Sequence, residues 1–326
     1  MIVGQDRAVT QFAEAWASRK LHHAWLLAGP KGVGKASFAL AAARRVLAEA
    51  AGPAFDLPAL GTPPDHAMVR LVEAGSHPDM RLLERQVNEK TGNLARDITV
   101  DQVRKLGEFM AMSAAMSDWR VVIIDTLDDL AGPGANALLK MIEEPPPNSL
   151  FFLVSNAPGK LLPTIRSRCR RLDFGALEDD AMASILAREV PALGEAERRR
   201  VIGMSSGSAA RAIAFGTLGL AKIEDAALAI LRDGDPTNAR RAELASELGK
   251  KGSAEKYAAF LDFVPAMIAR EARRLEGRHQ ERALDAYAKA RQLSAIAPRV
   301  ALDPAATVFE MGGLLATIAQ TPSLKR

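Results

Sequence analysis

Seven consecutive residues near the N-terminus fit the pattern G-x-x-x-x-G-K of a phosphate-binding loop. They are Gly29, Pro30, Lys31, Gly32, Val33, Gly34 and Lys35. Glycines allow backbone N–H groups to point at phosphate oxygens, and the lysine adds a charge for the outer phosphates. An apolar run precedes the loop and an alanine-rich helical pattern follows it, as this motif requires. We predict a nucleotide-binding type of fold; for the loop itself, a glycine-rich turn that binds no nucleotide stays the alternative.

Two parts of the chemistry of ATP hydrolysis are missing. The residue after the lysine, where a hydroxyl would ligate magnesium, is Ala36, and Ser37 lies about 100° further around the helix. Asp125 ends an apolar run and can reach a magnesium ion beside the phosphates. The next residue is Thr126, where an ATPase of this kind usually has a carboxylate. We therefore predict little or no autonomous hydrolysis.

Three polar residues near the expected phosphate site have two interpretations each. Asp128 and Asp129 stand close to the missing carboxylate and could replace it, but the pattern favours caps for a helix that begins near 129–134. Asn156 follows another apolar run and either senses the outer phosphate or organises the turn at 156–159. The candidate nucleotide-binding set is therefore the loop together with Ala36, Ser37, Asp125 and Asn156.

Four arginines fall within six positions at 166–171. They are Arg166, Arg168, Arg170 and Arg171. One interpretation is a solvated or locally paired surface loop. The other is an arginine offered to the γ-phosphate of a neighbouring subunit, where it neutralises charge that develops during transfer. Such a residue acts in trans, so it stays useful in a subunit that cannot hydrolyse ATP.

Composition sets broad limits on the protein. Its 326 residues suggest two or three domains, and 48% of them are hydrophobic. A net charge of +4 permits contact with nucleic acid without requiring it. Cys169 is the only cysteine, which excludes an intrachain disulfide and a four-cysteine zinc site. Without an apolar signal core or a run long enough for a bilayer, we expect a soluble, cytoplasmic protein with no membrane partner.

Apolar runs alternate with helical periods through residue 174, which predicts an α/β domain built on a parallel sheet. Strands are expected at 23–28, 80–83, 119–125, 150–154 and 170–174. Helices are expected at 37–50, at 67–74, from 98 to about 113 behind a cap at 99–102, and at 136–142. His22 and His23 should point to opposite faces of a strand, which favours packing over joint metal binding.

The strand signal ends after residue 174, and helical patterns continue to residue 320. Breaks at Pro191, Gly203 and Gly207 suggest a small helical domain, and the composition of 234–236 predicts a linker before longer helices. The predicted domains are therefore 1–174, 175–234 and 235–326.

Five short segments occur in a fixed order around the phosphate loop. They are LHHAWLL at 21–27, AGSHPD at 74–79, NALLK at 136–140, EEPP at 143–146 and SRC at 167–169. Together they closely resemble the delta-prime family of bacterial DNA polymerase III clamp-loader subunits, within the AAA+ superfamily. The resemblance is specific across residues 1–175 and rests on length and helical character beyond them.

The resemblance implies an AAA+ P-loop domain, a helical lid and an all-α collar domain that joins a pentameric ring of the polymerase III holoenzyme. It implies a stationary subunit of the ring that places the sliding clamp on primed DNA. The implied partners are motor subunits of the tau/gamma type, a delta-type subunit and, through the complex, the clamp and DNA. The serine-arginine-cysteine motif assigns the trans arginine finger to Arg168. ATP or ADP is the implied cofactor, with magnesium left open.

Three departures from the family pattern matter. Many relatives carry a four-cysteine zinc module after the first helix, but the segment 51–66 has no cysteine, so we predict no zinc and assign no metal-ligating residue. Delta-prime members often have a degraded phosphate loop, whereas Lys35 is kept here. Arg211 resembles a sensor residue of the lid but lies one position later than in motor subunits, so its sensor role stays open. An independently active motor-type ATPase is the alternative function, and a small-molecule phosphotransferase fits poorly with the helical C-terminal third.

Overall fold

A computed structural model describes residues 2–87, 95, 97–130, 132–298 and 300–319. The chain forms two compact units, Met1–Ala181 and Met182–Arg326. The first unit ends close to the predicted domain boundary at residue 174. The division of the remainder into a lid at 175–234 and a collar at 235–326 stays a prediction.

The first unit is built on a five-stranded parallel sheet, as predicted. Its strands are β1 (Ala24–Ala28), β2 (Met80–Leu83), β3 (Arg120–Ile124), β4 (Ser149–Ser155) and β5 (Arg170–Asp173). They lie in the order β2-β3-β4-β1-β5. Strands β1, β3 and β4 are buried along their whole length, which explains their almost continuously apolar sequences.

Helices cover both faces of this sheet. They are α1 (Asp6–Ala17), α2 (Lys35–Ala51), α3 (Ala67–Glu73), α4 (Val100–Ala111), α5 (Gly132–Glu143) and α6 (Pro163–Ser167). Trp25 and Leu27 of β1 share one core with Phe12 and Phe38 of α1 and α2. Leu26 belongs to the core on the opposite face, with residues of α4 and α5. This alternation follows from the two-residue period of a strand.

Two local devices fix the ends of these elements. Thr99 caps α4 in a reciprocal box with Gln102, which confirms the predicted cap. Asp79, 2% exposed, precedes β2 and accepts hydrogen bonds from the backbone N–H groups of Ala115, Met116 and Ser117 at 2.6, 2.8 and 2.9 Å. The buried carboxylate thereby satisfies three backbone donors in the turn that leads to β3.

The second unit is helical in the residues that the structure describes. Its helices are α7 (Asp179–Glu189, which begins in the first unit), α8 (Glu195–Ser205), α9 (Ala209–Leu218), α10 (Ala221–Asp233), α11 (Ala239–Leu248), α12 (Ala254–Ala272), α13 (Gly277–Ile296) and α14 (Pro304–Ala316). The predicted change from α/β to all-α after residue 174 is thus confirmed. Across the described part of the chain, no helix is both long and apolar enough to cross a membrane.

Helix α12 contains Pro265, which has no N–H to donate to the carbonyl of Leu261. The hydroxyl of Ser294 on α13 donates to that carbonyl instead, at 2.7 Å. A break in one helix is therefore satisfied by its neighbour, which ties α12 to α13.

Candidate nucleotide site and trans arginine

The predicted phosphate loop connects β1 to α2. The backbone N–H of Gly29 donates to Ser155 O at 3.2 Å, and a Cβ added to Gly29 would lie 2.1 Å from the carbonyl oxygen of Phe174. Gly34, which precedes α2, has a left-handed φ of +99°. Both glycines are therefore required by backbone geometry, whether or not nucleotide binds.

Gln5 anchors the loop from outside the motif. Its side-chain amide, in a residue only 6% exposed, donates to Val33 O at 3.1 Å and to Gly175 O at 3.0 Å. No local pattern in the sequence marks this role, because the partners lie 28 and 170 residues away.

Lys35 folds back onto its own loop. It is 4% exposed, and its Nζ donates to Gly29 O at 2.7 Å, to Pro30 O, and to Asn156 Oδ1 at 2.9 Å. Among the described residues, no side chain caps the start of α2. The N–H groups of the first turn, which can bind an anion, are therefore not taken up by a capping side chain. The loop thus keeps an anion-binding geometry, with the lysine held by protein oxygens.

Burial lowers the pKa of Lys35 to about 8, and the charges of Asp125 and Asp128 oppose this shift. The ammonium group is therefore largely protonated at pH 7 and loses its charge as the pH rises through about 8. A phosphate ligand would restore the charged form by supplying nearby negative charge.

Asp128 holds the turn that carries Asn156. Its carboxylate accepts hydrogen bonds from the hydroxyl of Ser155 at 2.8 Å and from the backbone N–H groups of Asn156 and Ala157 at 2.6 and 3.1 Å. The favoured prediction that Asp128 caps a helix is therefore wrong, because its carboxylate bonds the turn after β4 and not the first turn of α5.

Asp129 forms an ion pair with Arg85 at 3.0 Å, and its capping role stays a prediction. Since Asp128 organises the turn after β4, the Asn156 side chain is free to meet Lys35 instead. The Asn156 side chain therefore lies beside the phosphate loop, and its role as a phosphate sensor stays a prediction.

The residues around the loop do not fit a magnesium ion in the usual way. Asp125 offers a carboxylate near Lys35, but Ala36 supplies no oxygen, and Ser37 is exposed on α2. Thr126 adopts a left-handed backbone, with φ +65°, which is uncommon for a β-branched residue. Within the described residues, no group of three or more His, Cys, Asp or Glu could hold a metal ion.

Arg168 follows the short helix α6. Its Nη2 lies 2.8 Å from Glu143 Oε1, and its Nη1 donates to Thr164 O at 3.1 Å. The side chain keeps 40% of its surface exposed. Glu143 belongs to the EEPP segment of the family pattern, so two of the sequence motifs meet here.

The other three arginines of the basic segment have different surroundings. Arg170 lies over the Trp25 ring at 4.9 Å, and Arg171 pairs with Asp173 at 2.6 Å. Arg166 is exposed and forms no ion pair within the described part of the chain. Local contacts thus engage three of the four arginines, Arg168 among them, through Glu143, Trp25 and Asp173.

The phosphate loop and Arg168 lie on opposite sides of one sheet along the strand direction, the loop at the carboxyl ends of the strands and Arg168 at their amino ends. Strands β1 and β5 run parallel, with Trp25 beside Arg170 and Ala28 beside Asp173. The loop follows the carboxyl end of β1, whereas Arg168 precedes the amino end of β5. At about 3.3 Å per residue, roughly 15 Å of strand separates the two edges. Arg168 is therefore placed away from the phosphate loop of its own chain.

Cys169, next to Arg168, packs against the core on the α4–α5 face of the sheet. Burial raises the pKa of its thiol to about 12, so the group is a packing residue and not a nucleophile.

His22 and His23 do not point to opposite faces of a strand, so that prediction is wrong. Their rings stack at 4.4 Å because both residues precede β1, where the strand alternation does not apply. The His23 ring Nε2 lies 2.9 Å from Ile142 O, and burial lowers the pKa of this histidine. Packing and backbone hydrogen bonds remain their role.

Arg211 lies in the second unit and is engaged there. Its Nε and Nη2 donate to the two carboxylate oxygens of Asp262 at 2.6 and 3.0 Å. This bidentate pair occupies the guanidinium group. A sensor role for Arg211 stays an open prediction.

A parallel sheet with a phosphate loop after β1, an acidic residue after β3 and a polar residue after β4 defines an α/β protein of the AAA+ type. Residues 4–178 match the family model described as "DNA polymerase III, delta subunit". The match takes in more than half of the chain, so the chain belongs to this family. The predicted resemblance to delta-prime clamp-loader subunits is confirmed.

Individual relatives agree with this assignment. The chain is 35% identical over 186 residues to DNA polymerase III subunit delta′ of Pseudomonas aeruginosa, covering 57% of this chain and 53% of that protein. It is 30% identical over 195 residues to the gamma/tau subunit of Mycobacterium bovis, covering 57% of this chain and 30% of that protein. The matches thus span about half the length of these relatives or less.

Among solved structures, the chain resembles a DNA polymerase III gamma subunit-related protein of Thermotoga maritima. The identity is 17%, the TM-score is 0.48, and the alignment covers 95% of this chain and 98% of the other.

Proposed function

We propose that this chain is a stationary, delta-prime-type subunit of a bacterial clamp loader. It supplies Arg168 to ATP bound on a neighbouring motor subunit and performs little or no hydrolysis itself. Its partners are then tau/gamma-type motor subunits and a delta-type subunit, and through them the sliding clamp and primed DNA. The site of action of such a complex is the cytoplasm.

The observation that carries the proposal is the position of Arg168 at the sheet edge opposite the phosphate loop. An arginine placed there serves a ligand outside its own chain more readily than one at the carboxyl edge. A guanidinium offered to a transferring phosphoryl group stabilises charge that develops in the transition state, and such an arginine can change turnover by about 10³–10⁵-fold.

The chain's own phosphate loop supports the other half of the proposal. Ala36 supplies no metal ligand, and Thr126 replaces the carboxylate expected to position the attacking water. Lys35 and the open first turn of α2 still favour an anion. Nucleotide at this loop would then have a structural role, without turnover.

The test is ATP hydrolysis by the complex reconstituted with tau/gamma-type and delta-type subunits, the clamp and primed DNA. We expect Arg168→Ala to leave assembly intact and to reduce DNA-stimulated turnover by at least about tenfold, a conservative fraction of the effect of such an arginine. Arg166→Ala is the matched control, because Arg166 is exposed in the same basic segment. Unchanged turnover with Arg168→Ala, or an equal loss with Arg166→Ala, would remove the finger assignment.

The alternative is an independently active ATPase, which the retained Lys35 favours. Hydrolysis by the purified chain alone, abolished by Lys35→Ala, would support it. Under our proposal the chain alone is inactive, and Lys35→Ala in the complex has a milder effect than the equivalent change in a motor subunit.

A further inference from the structure

The basic excess of the chain lies in its second unit. Residues 182–326 contain 22 Lys and Arg against 17 Asp and Glu, whereas residues 1–181 contain 21 against 22. The net charge of the first unit is thus −1 and that of the second unit +5. A positive field on one unit favours a polyanionic ligand there.

A cleft of about 580 Å³ lies within the second unit, lined mainly by α12 and α13. The residues that give it its chemical character are Arg211, Asp262, Arg270, Arg273, Tyr287 and Arg291. On α12 the lining positions 262, 266, 269 and 270 repeat at helical spacing and Arg273 follows directly after its end, and on α13 positions 287, 291, 294 and 295 repeat in the same way. One face of each helix therefore forms a wall of the cleft.

Small side chains keep the cleft open. Ala266 and Ala269 on α12 and Ala295 on α13 line it without filling it. The Ser294 hydroxyl donates to Leu261 O at 2.7 Å and so fixes the two helices against each other. The space is thus a built feature of the helix pair.

Most of the positive charge around this cleft is uncompensated. Asp262 neutralises Arg211 through two hydrogen bonds. Arg270, Arg273 and Arg291 are exposed, and none of them forms an ion pair within the residues that the structure describes. Arg270 donates to Gly203 O at 3.2 Å and Arg291 lies over the Tyr287 ring at 5.9 Å, so these contacts leave their charge unbalanced, and a bound anion would balance it.

The guanidinium groups also extend beyond this cleft. A second cleft of about 420 Å³ shares Arg270 and is lined in addition by Arg232 and Arg274. Its carboxylate is Glu271, which lies 3.8 Å from Arg274. Arginines on both sides of Arg270 suit a ligand with several phosphates in a row better than a single phosphate.

We infer that these two adjoining clefts bind the phosphate backbone of a nucleic acid. Nucleic acid carries one phosphate for about every 3.4 Å of each strand, and the planar fork of arginine matches phosphate oxygens in pairs. The arginines would meet backbone phosphates, so binding is independent of base sequence and sensitive to salt. This inference does not depend on the role of Arg168.

The test uses the full chain and a short fluorescent DNA of mixed sequence, with binding followed by anisotropy over a range of salt concentrations. We expect the double variant Arg273→Gln, Arg291→Gln to weaken binding by at least about tenfold at low salt. The slope of log affinity against log salt should fall by about 0.7–0.9 for each phosphate that the variant no longer neutralises. Both arginines are exposed, so the fold should survive, and a circular-dichroism melt checks this.

The matched control is Arg278→Gln, Arg282→Gln, which removes the same charge from exposed positions of α13 outside both clefts. We expect it to change affinity by less than about threefold, because these positions contribute only to the general field. Equal losses in the two double variants, or no loss in the first, would overturn the site. Inorganic tripolyphosphate serves as a second probe: its binding without any binding of DNA would overturn the nucleic-acid assignment, whereas competition between the two supports it.

Discussion

Glu143 Oε1 lies 2.8 Å from Nη2 of Arg168, and the two residues are 25 positions apart in the chain. Both side chains are about two-fifths exposed, so the ion pair is weak, about 0–1 kcal/mol. The carboxylate therefore holds Arg168 in one place without locking it. If Arg168 serves a neighbouring nucleotide, it must exchange Glu143 for phosphate oxygens on assembly.

The exchange predicts a modest gain of activity from Glu143→Gln. Removal of the competing charge should raise DNA-stimulated turnover of the reconstituted complex by roughly two- to fivefold, the equivalent of the weak ion pair. Glu144→Gln, at the adjacent exposed residue, should leave the rate unchanged. A loss as deep as that of Arg168→Ala would instead mean that Glu143 holds the arginine in its productive position.

The pKa of Lys35 predicts that anion binding weakens with pH. Because this pKa is about 8, the charged fraction of the free loop falls by about tenfold between pH 7 and pH 9. Phosphate favours the charged form, so ADP affinity measured by calorimetry without metal should fall by the same factor. Lys31→Ala, at an exposed loop position, should keep this dependence, and Lys35→Ala should weaken binding and abolish it. Affinity independent of pH in the unmodified chain would contradict the prediction.

Gly29→Ala should destabilise the first unit by about 2–3 kcal/mol, because the new Cβ would meet the backbone oxygen of Phe174 at 2.1 Å. Gly159→Ala is the control, since a Cβ there meets no described atom within 4 Å, and its effect should stay within about 0.5 kcal/mol. Chemical denaturation without nucleotide measures both. Equal stabilities would show that the loop can move away from β5.

Asp79→Ala should cost about 3 kcal/mol of unfolding free energy, because the change leaves three backbone N–H groups without the buried carboxylate that accepts from them. Asp118→Ala, at an exposed residue of the same connection, should be nearly neutral. Denaturant titrations of the two variants give the comparison. A cost below about 1 kcal/mol for Asp79→Ala would mean that water replaces the carboxylate.

The elements of the first unit could be predicted from sequence because their signals are local. The runs that form β1, β3 and β4 are buried on both faces, so each is almost continuously apolar and lies within a residue or two of its predicted position. The capping box of Thr99 and Gln102 spans three residues and is equally local. Helical periods after residue 174 predict the second unit in the same way.

The side-chain partners that define the candidate site could not be predicted in this way. Asp128 satisfies groups 27 to 29 residues ahead, and Lys35 meets Asn156 across 121 residues. No local pattern distinguishes such an aspartate from a helix cap, which is why that prediction is wrong. The cleft of about 580 Å³ in the second unit likewise depends on the packing of α12 against α13, so in the sequence Arg273 resembles any residue of a solvated helix face.

Placement of the phosphate loop and Arg168 at opposite edges of one sheet gives the first unit a polarity. If each arginine serves the next loop, subunits join head to tail, with unlike surfaces in contact at every junction. An open arc of such subunits has two different ends. At one end a phosphate loop has no neighbouring arginine, and at the other end an arginine faces no nucleotide. A chain that does not hydrolyse ATP at its own loop needs no neighbouring arginine there, so it can occupy the end whose loop lacks one.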